Sequence, residues 1–314
     1  MEKYTNVKRV ACVGSGLVGQ GWATLFALHG YEVILEDISE DILDEALIRI
    51  EKQMRFLVEA GLAEKVELAL GRIGTTTDLA SAISEVDYVQ ESAYESYTAK
   101  KALYSEMDKL TDREVVLASS TSGLMMSEIQ KACNRYPERT IVAHPWNPSY
   151  LIPLVELSPG KLTSEETTKQ TYKLMENIGK TPVVLKKEVP GFIANRLSVA
   201  LWREALDLVD SGVASVEDVD KAVQAGPGLR WALMGPYLTY HLGGGKGGIE
   251  YIMRHIGATK SEWLENMAKW TAVPDSAVEK AINGVQNLRV VREKSFEELE
   301  SWRDERLAKI LKLL

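Results

Sequence analysis

The sequence predicts an α/β fold, a doubly wound parallel sheet followed by an all-helical C-terminal domain. Three observations predict it. Short β-branched runs alternate with helical patterns through the first half, a glycine-rich turn joins the first run to the first helix, and strand patterns stop after Val189.

In order, KRVACVG reads as the first strand, followed by a helix through Leu28, a second strand in YEVILED and a long charged helix from Ser39 to Glu59. The alternation continues through GRIGTTT, VDYVQES, EVVLASST and TIVAHPW, and the last strand is expected in VVLKKEV, Val183 to Val189. PGFIANRLSVALWREALDLVDSGV then opens a helix with apolar residues at helical spacing. Helical patterns follow to the end, interrupted by GPGLRWALMGP and HLGGGKGGIE. The final segment SFEELESWRDERLAKILKLL is amphipathic, and Ser295 and Glu298 form a capping-box signature at its start. The expected organisation is a sheet domain over residues 1–188 and a helical domain over 189–314.

Composition narrows the function classes. Hydrophobic residues make up 45% and charged residues 26%, the balance of an ordinary globular protein. A formal net charge of −8 argues against nucleic acid and against anionic membrane surfaces as partners. Cys12 and Cys133 lie far apart with no CxxC or CxxH spacing, so neither a metal site nor a disulfide framework is expected. The N-terminus MEKYTNVKRVACVG carries no signal-type apolar core and no segment reaches the ~20 apolar residues of a membrane span, so a cytoplasmic protein is expected.

The turn CVGSGLVGQG places Gly14, Gly16 and Gly19 between strand and helix, and the next strand ends on Asp37. Strand, glycines, helix, strand and terminal acid in that order specify a Rossmann-type dinucleotide site far better than the glycines alone. Gly14 permits the tight turn, Gly16 lets the backbone approach a pyrophosphate, and Gly19 lets the helix pack closely. Leu17 and Val18 bring the first helical N–H groups to the phosphates. Asp37 is expected to hold the adenosine ribose hydroxyls and, with Glu36 beside it, to repel a 2′-phosphate, which points to NAD over NADP.

The chemistry concentrates in HPWNPSYLIPLVEL, residues 144–157, where His144 follows a strand and Glu156 sits inside an apolar run. A buried carboxylate is costly unless paired. A chain that turns at Pro145 and Pro148 returns Glu156 antiparallel to His144, where it accepts one imidazole proton while the other nitrogen acts as a base. His29, His241 and His255 have no comparable context.

The strings GSGLVGQG, ESAYESYTAKKALYSEMD, ASSTSGL, HPWNP with LVE, and PGFIANR make the chain similar, over essentially its whole length, to the 3-hydroxyacyl-CoA dehydrogenase family of NAD-dependent oxidoreductases. That resemblance implies that His144 and Glu156 form the proton-transfer pair and that Ser122 binds the substrate hydroxyl. It further implies that Asn195 contacts substrate and the catalytic histidine, and that Asn147 orders the site. Read without it, Ser122 is one of several hydroxyls after a strand and Asn195 a polar residue at a helix start. The resemblance also sets Glu95 near the nicotinamide ribose and Lys100 against cofactor or substrate; a solvated helix start is the alternative for both.

Acyl-CoA members commonly read HFFNP with Asn before the Thr-Ser pair, whereas this chain has HPWNP and Ser120-Thr121-Ser122. It is more similar to the branch of L-gulonate 3-dehydrogenase (lambda-crystallin) and L-carnitine dehydrogenase, and residues 226–250 look most like the carnitine dehydrogenases. A trimethylammonium substrate is best held by aromatic faces. Trp146, Tyr150, Trp202, Trp231, Tyr237 and Tyr240 lie in or near the site segments, with packing between the domains as the alternative for each. Arg196 or Arg230 is a candidate for the substrate carboxylate, and either equally suits a structural ion pair.

The resulting expectation is an NAD-dependent oxidation of the carnitine 3-hydroxyl, with Trp146, Asn147, Arg196, Trp231 and Tyr237 joining Ser122 and Asn195 around the substrate. L-gulonate and short 3-hydroxyacyl-CoA substrates are the alternatives, and a non-catalytic NAD-binding protein stands as a reading of another class. Family resemblance implies a homodimer formed through the helical domain.

Overall fold

A computed structural model describes residues 7–255 and 257–314, without the side chains of 257–259. The first six residues of the N-terminal run lie outside the described residues. The chain divides into two compact units, one reaching to Asn195 together with Leu307–Lys309, the other spanning Arg196–Arg306 and Ile310–Leu314.

The first unit is built on one eight-stranded sheet. Its elements are β1 (Arg9–Val13), α1 (Leu17–Leu28), β2 (Glu32–Glu36), α2 (Glu40–Glu59), α3 (Val66–Leu70), β3 (Ile73–Thr76), α4 (Leu79–Ile83), β4 (Tyr88–Glu91), α5 (Tyr97–Leu110), β5 (Val116–Ser119), α6 (Met126–Ile129), β6 (Thr140–Pro145), β7 (Leu154–Pro159), α7 (Glu165–Asn177) and β8 (Thr181–Val184). The strand order is β3-β2-β1-β4-β5-β6-β7-β8. The first six strands run parallel, β7 is antiparallel to β6, and β8 is parallel to β7. The order reverses across β1, so the connections place helices on both faces and leave a crevice beyond the carboxyl ends of β1 and β4.

Strand alternation explains the two cores. Val10 and Cys12 of β1 join one buried cluster with Trp22, Phe26, Leu35 and Tyr88, while Ala11 and Val13 join another with Val89, Tyr104, Met107 and Leu117. A strand buried on both faces needs a continuous apolar run, which VACV supplies. Each large side chain so buried contributes about 1.5–3 kcal/mol.

The last strand differs from its expected span. It covers Thr181–Val184 and not Val183–Val189, because it is the sheet edge and its final bond is Leu185 N–H to the Leu157 carbonyl at 2.8 Å. Lys186 and Lys187 leave the sheet, as charged residues do at an edge, and the Glu188 carboxylate instead accepts the Ser127 N–H at 2.9 Å.

The second unit is helical: α8 (Ala194–Asp210, from Arg196 onward), α9 (Val216–Ala225), α10 (Pro227–Trp231), α11 (Pro236–Gly243), α12 (Gly248–His255), α13 (Gly257–Asn266), α14 (Asp275–Asn287), α15 (Arg289–Glu293) and α16 (Phe296–Leu311). The helices break at both expected strings: GPGLRWALMGP also starts two helices, with Pro227 and Pro236 in first-turn positions where no N–H is needed, and HLGGGKGGIE separates α11 from α12. The capping box forms: Ser295 N–H donates to Glu298 Oε2 at 2.7 Å and Glu298 N–H to Ser295 Oγ at 3.2 Å. Among the described residues no helix is long and apolar enough to cross a membrane.

Candidate active site

At the carboxyl end of β1 the chain turns through Gly14, whose φ of +93° only glycine adopts without strain and whose N–H donates to the Glu36 carbonyl at 2.9 Å. A Cβ on Gly14 would stand 2.8 Å from the Ser92 carbonyl carbon and oxygen. One on Gly19 would fall 1.8 Å from the Gly14 oxygen, so helix and turn touch backbone to backbone. At Gly16 nothing lies within 4 Å, which leaves an open approach in front of the α1 N-terminus, where Leu17 is exposed and Val18 half-buried. Asp37 is held by three donors: Ser15 N–H (2.7 Å) and Ser15 Oγ (2.8 Å) on Oδ2, and Ile38 N–H (2.8 Å) on Oδ1. A bare cradle, free helix N–H groups and a fixed carboxylate at the end of β2 fit a dinucleotide with its ribose hydroxyls.

His144 and Glu156 are direct partners in the β6–β7 register, and His144 Nδ1 lies 3.0 Å from Glu156 Oε2. Both are buried, at 5% and 1% exposure. Glu156 Oε1 accepts the N–H groups of Ile193 (2.8 Å) and Ala194 (2.9 Å), so the carboxylate also caps α8. Gly191 at φ +75° and Phe192 at φ +52° turn those amides toward it. The Trp146 indole N–H donates to Oε2 at 3.4 Å. Burial alone raises the Glu156 pKa, but the bonds from His144, Ala194, Ile193 and Trp146 outweigh it and hold the group below its usual value. An ionised Glu156 accepts only, so the proton on His144 sits at Nδ1 and the lone pair at Nε2.

Ser122 and Asn195 meet, since Asn195 Nδ2 donates to the Ser122 carbonyl at 2.8 Å. On the other side, Glu95 Oε1 accepts Ser122 N–H (2.9 Å) and Thr121 Oγ1–H (2.6 Å). Lys100, far from being a solvated helix residue, is 1% exposed. Its ammonium reaches Glu91 Oε1 at 2.6 Å, the Ala93 carbonyl at 3.3 Å and Glu95 Oε2 at 3.5 Å. Two of its protons therefore have hydrogen-bond acceptors, and Glu95 adds an ion pair. Glu91, Thr121 and Ser15 lie within the strings that carry the resemblance but were not singled out, because their bonds with Ser119, Glu95 and Asp37 join residues 28, 26 and 22 apart.

Trp146 is half-buried and Asn147 exposed. Gly21, inside α1, was also missed: a Cβ there would fall 1.9 Å from Ser149 Oγ, so the loop after Asn147 lies directly on the helix. A glycine in a helix interior was the available signal. In the helical unit, Arg196, Arg230, Trp231, Tyr237 and Tyr240 are exposed, and Lys260 Nζ sits 3.9 Å from the Tyr240 ring centre. The remaining histidines have local roles: His29 Nδ1 is bonded to the Leu25 carbonyl, His241 Nδ1 accepts Ile249 N–H, and His255 stacks on Tyr251.

Fold and site together define an NAD-dependent dehydrogenase of small 3-hydroxy substrates. Residues 9–189 match the NAD binding domain of 3-hydroxyacyl-CoA dehydrogenase and residues 191–283 match its C-terminal domain, and the chain belongs to that family. L-carnitine dehydrogenase of Bacillus cereus is 41% identical, with 100% of this chain and 96% of the relative covered. That of Streptomyces coelicolor is 44% identical over 84% of this chain and 82% of the relative. Among solved structures, FHMPC 5-dehydrogenase, an NAD⁺-dependent dismutase, superposes with a TM-score of 0.82 at 29% identity, covering 98% and 97% of the two chains. The 3-hydroxybutyryl-CoA dehydrogenase of Escherichia coli gives 0.70 at 29% identity over 89% of this chain and 57% of the other.

Proposed function

We propose that the enzyme oxidises the 3-hydroxyl of L-carnitine to 3-dehydrocarnitine, with His144 as the proton acceptor. The observation that carries the chemistry is the Glu156 carboxylate bonded to His144 Nδ1, which leaves Nε2 as the basic nitrogen. NAD, held by the Gly14–Gly19 turn and Asp37, would supply the acceptor for the hydride of the hydroxyl-bearing carbon. As the C–O bond becomes a carbonyl, His144 Nε2 takes the hydroxyl proton and Glu156 stabilises the imidazolium. Ser122 and Asn195, tied together by their hydrogen bond, orient the substrate oxygen.

The substrate assignment is supported by the L-carnitine dehydrogenases that align with nearly the whole chain at 35–41% identity. Trp146, whose indole is tied to Glu156, is the ring proposed to face the quaternary ammonium. Asn147 is the further proposed substrate contact in the same unit. The same reading takes the enzyme as a homodimer through its helical unit, where α9, α10 and α11 bury no residue and Trp202, Trp231, Leu233 and Tyr237 are exposed.

NADH formation with L-carnitine, L-gulonate and 3-hydroxybutyryl-CoA, compared side by side, tests the assignment. L-Carnitine should give the highest kcat/KM. Turnover of either rival with none of L-carnitine would replace it.

A further inference from the structure

Behind the glycine turn lies a buried hydrogen-bond cluster that the chemistry above does not use. Ser120 Oγ receives the Trp22 indole N–H at 3.0 Å and the Gln90 side-chain amide at 2.7 Å, and lies 2.9 Å from Ser92 Oγ. Trp22 and Gln90 are wholly buried and Ser120 is 8% exposed. Ser92 is the member that reaches the surface, half-buried just past the end of β4.

Proton bookkeeping fixes the direction of every bond. An indole N–H only donates. The Gln90 Nε2 also approaches the Ala143 carbonyl at 3.4 Å, and Gln90 Oε1 accepts the Tyr88 hydroxyl at 3.2 Å, so the nitrogen end of the amide faces Ser120. With both lone pairs of Ser120 Oγ occupied, its own proton goes to Ser92 Oγ. Ser92 is thereby an acceptor toward the interior, and its hydroxyl proton points away from the cluster.

The backbone places Ser92 against the glycine turn. Ser92 N–H donates to the Val13 carbonyl at 2.7 Å, the residue before Gly14. Its carbonyl group is what a Cβ on Gly14 would strike, and its Cβ stands 3.7 Å from where a Cβ on Gly19 would be. The Ser92 side chain therefore stands at the glycine turn, beside Gly14 and Gly19, in the same turn as the open approach at Gly16. We propose that Ser92 is a cofactor-binding residue that donates a hydrogen bond to a diphosphate oxygen of NAD, aimed there by the buried Trp22–Gln90–Ser120 cluster.

Titration of NADH, ADP-ribose and adenosine against the full-length enzyme and its Ser92→Ala variant tests this, with ligand-free melting curves recorded alongside. A lost hydrogen bond to a charged oxygen should weaken NADH and ADP-ribose by about tenfold and leave adenosine, which has no phosphate, within about twofold. Ser92→Cys keeps the size but has a poor donor and should lose affinity in the same order. NADH and ADP-ribose bound by both variants as by the wild type would overturn the assignment. So would an adenosine loss equal to that of ADP-ribose, which would mark a general distortion of the fold.

Discussion

Glu156 divides its two oxygens between imidazole and helix: Oε2 lies 3.0 Å from His144 Nδ1, and Oε1 holds the Ile193 and Ala194 amides at the start of α8. One carboxylate thus fixes the imidazole tautomer and the helix that carries Asn195. Removing its charge should affect both. Glu156→Gln is expected to lower kcat by roughly 10²–10⁴, the range of a positioned acid–base group, and His144→Asn by a similar factor. NADH titration should show that the His144→Asn protein still binds the dinucleotide; retained turnover in that variant would refute the proton-transfer role.

The same pair sets an acid limit. The Glu156 pKa lies below its unfolded value, so its contribution to stability is present above the usual carboxylate range and is lost as pH falls through the folded value. Urea unfolding from pH 6 down to pH 3 should show a loss of stability that is smaller in Glu156→Gln. An identical pH dependence in the two proteins would refute the assignment of this loss to Glu156.

The NAD preference should itself depend on pH. Burial, then the charges of Asp37, Asp78 and Glu106, push Glu36 up to about 7. Below that pH Glu36 is neutral and Asp37 alone repels a 2′-phosphate. The ratio of kcat/KM for NAD over NADP should be lower at pH 6 than at pH 8, and Glu36→Gln should flatten the difference. Asp37→Ala should lower kcat/KM for NAD by roughly 10–100-fold, the worth of hydrogen bonds to a charged group, with a smaller change for NADP. For stability the sign is opposite to that of Glu156. A raised carboxyl pKa means that stability is full below the usual carboxylate value and declines as pH rises through about 7, a decline that Glu36→Gln removes.

Lys100 and Glu91 form an ion pair at 1% and 0% side-chain exposure. Breaking one side of such a pair strands a buried charge, so Lys100→Met should cost about 3–5 kcal/mol, and Lys100→Met/Glu91→Gln together less than the sum of the two singles. Because Lys100 also steadies Glu95, which holds the Ser122 and Thr121 donors, kcat should fall more in Lys100→Met than in a variant of equal stability loss elsewhere in the core. Chemical denaturation with steady-state kinetics on the four proteins of the cycle measures both.

Local patterns carried much of this protein. The short β-branched runs, the spacing of Gly14, Gly16 and Gly19, and the prolines after His144 made the sheet, the turn and the antiparallel return of Glu156 legible, because each is a rule about neighbours in sequence. The amides of Ile193 and Ala194 were not, since their approach to Glu156 depends on positive φ at Gly191 and at Phe192, a residue that rarely adopts it. Lys100 read as a contact to cofactor or substrate, with a solvated helix start as the alternative, and its ion pair was not legible because its partner Glu91 ends another element. Ser120 registered only as a departure from the usual Asn, while its contact with Trp22 spans 98 residues. Long-range polar bonds have no period, and they make up most of what surrounds this site.

Lys180 supplies the last test. Its ammonium donates to the Ser149 and Ile152 carbonyls, lies 5.7 Å from the Trp22 ring centre and, among the described residues, bonds no carboxylate. It therefore fastens the loop after Asn147 in the place where Ser149 meets Gly21. Burial pushes its pKa down to about 7, below the unfolded lysine value. Between about pH 7 and the usual lysine range the unfolded chain binds the extra proton, so stability should rise with pH across that window. Lys180→Met should abolish the rise and, by leaving two carbonyls without their donor, lower stability by roughly 1–3 kcal/mol. Urea denaturation of both proteins at pH 7, 8 and 9 reads the slope directly, and a wild-type slope that survives in Lys180→Met would assign it to another group.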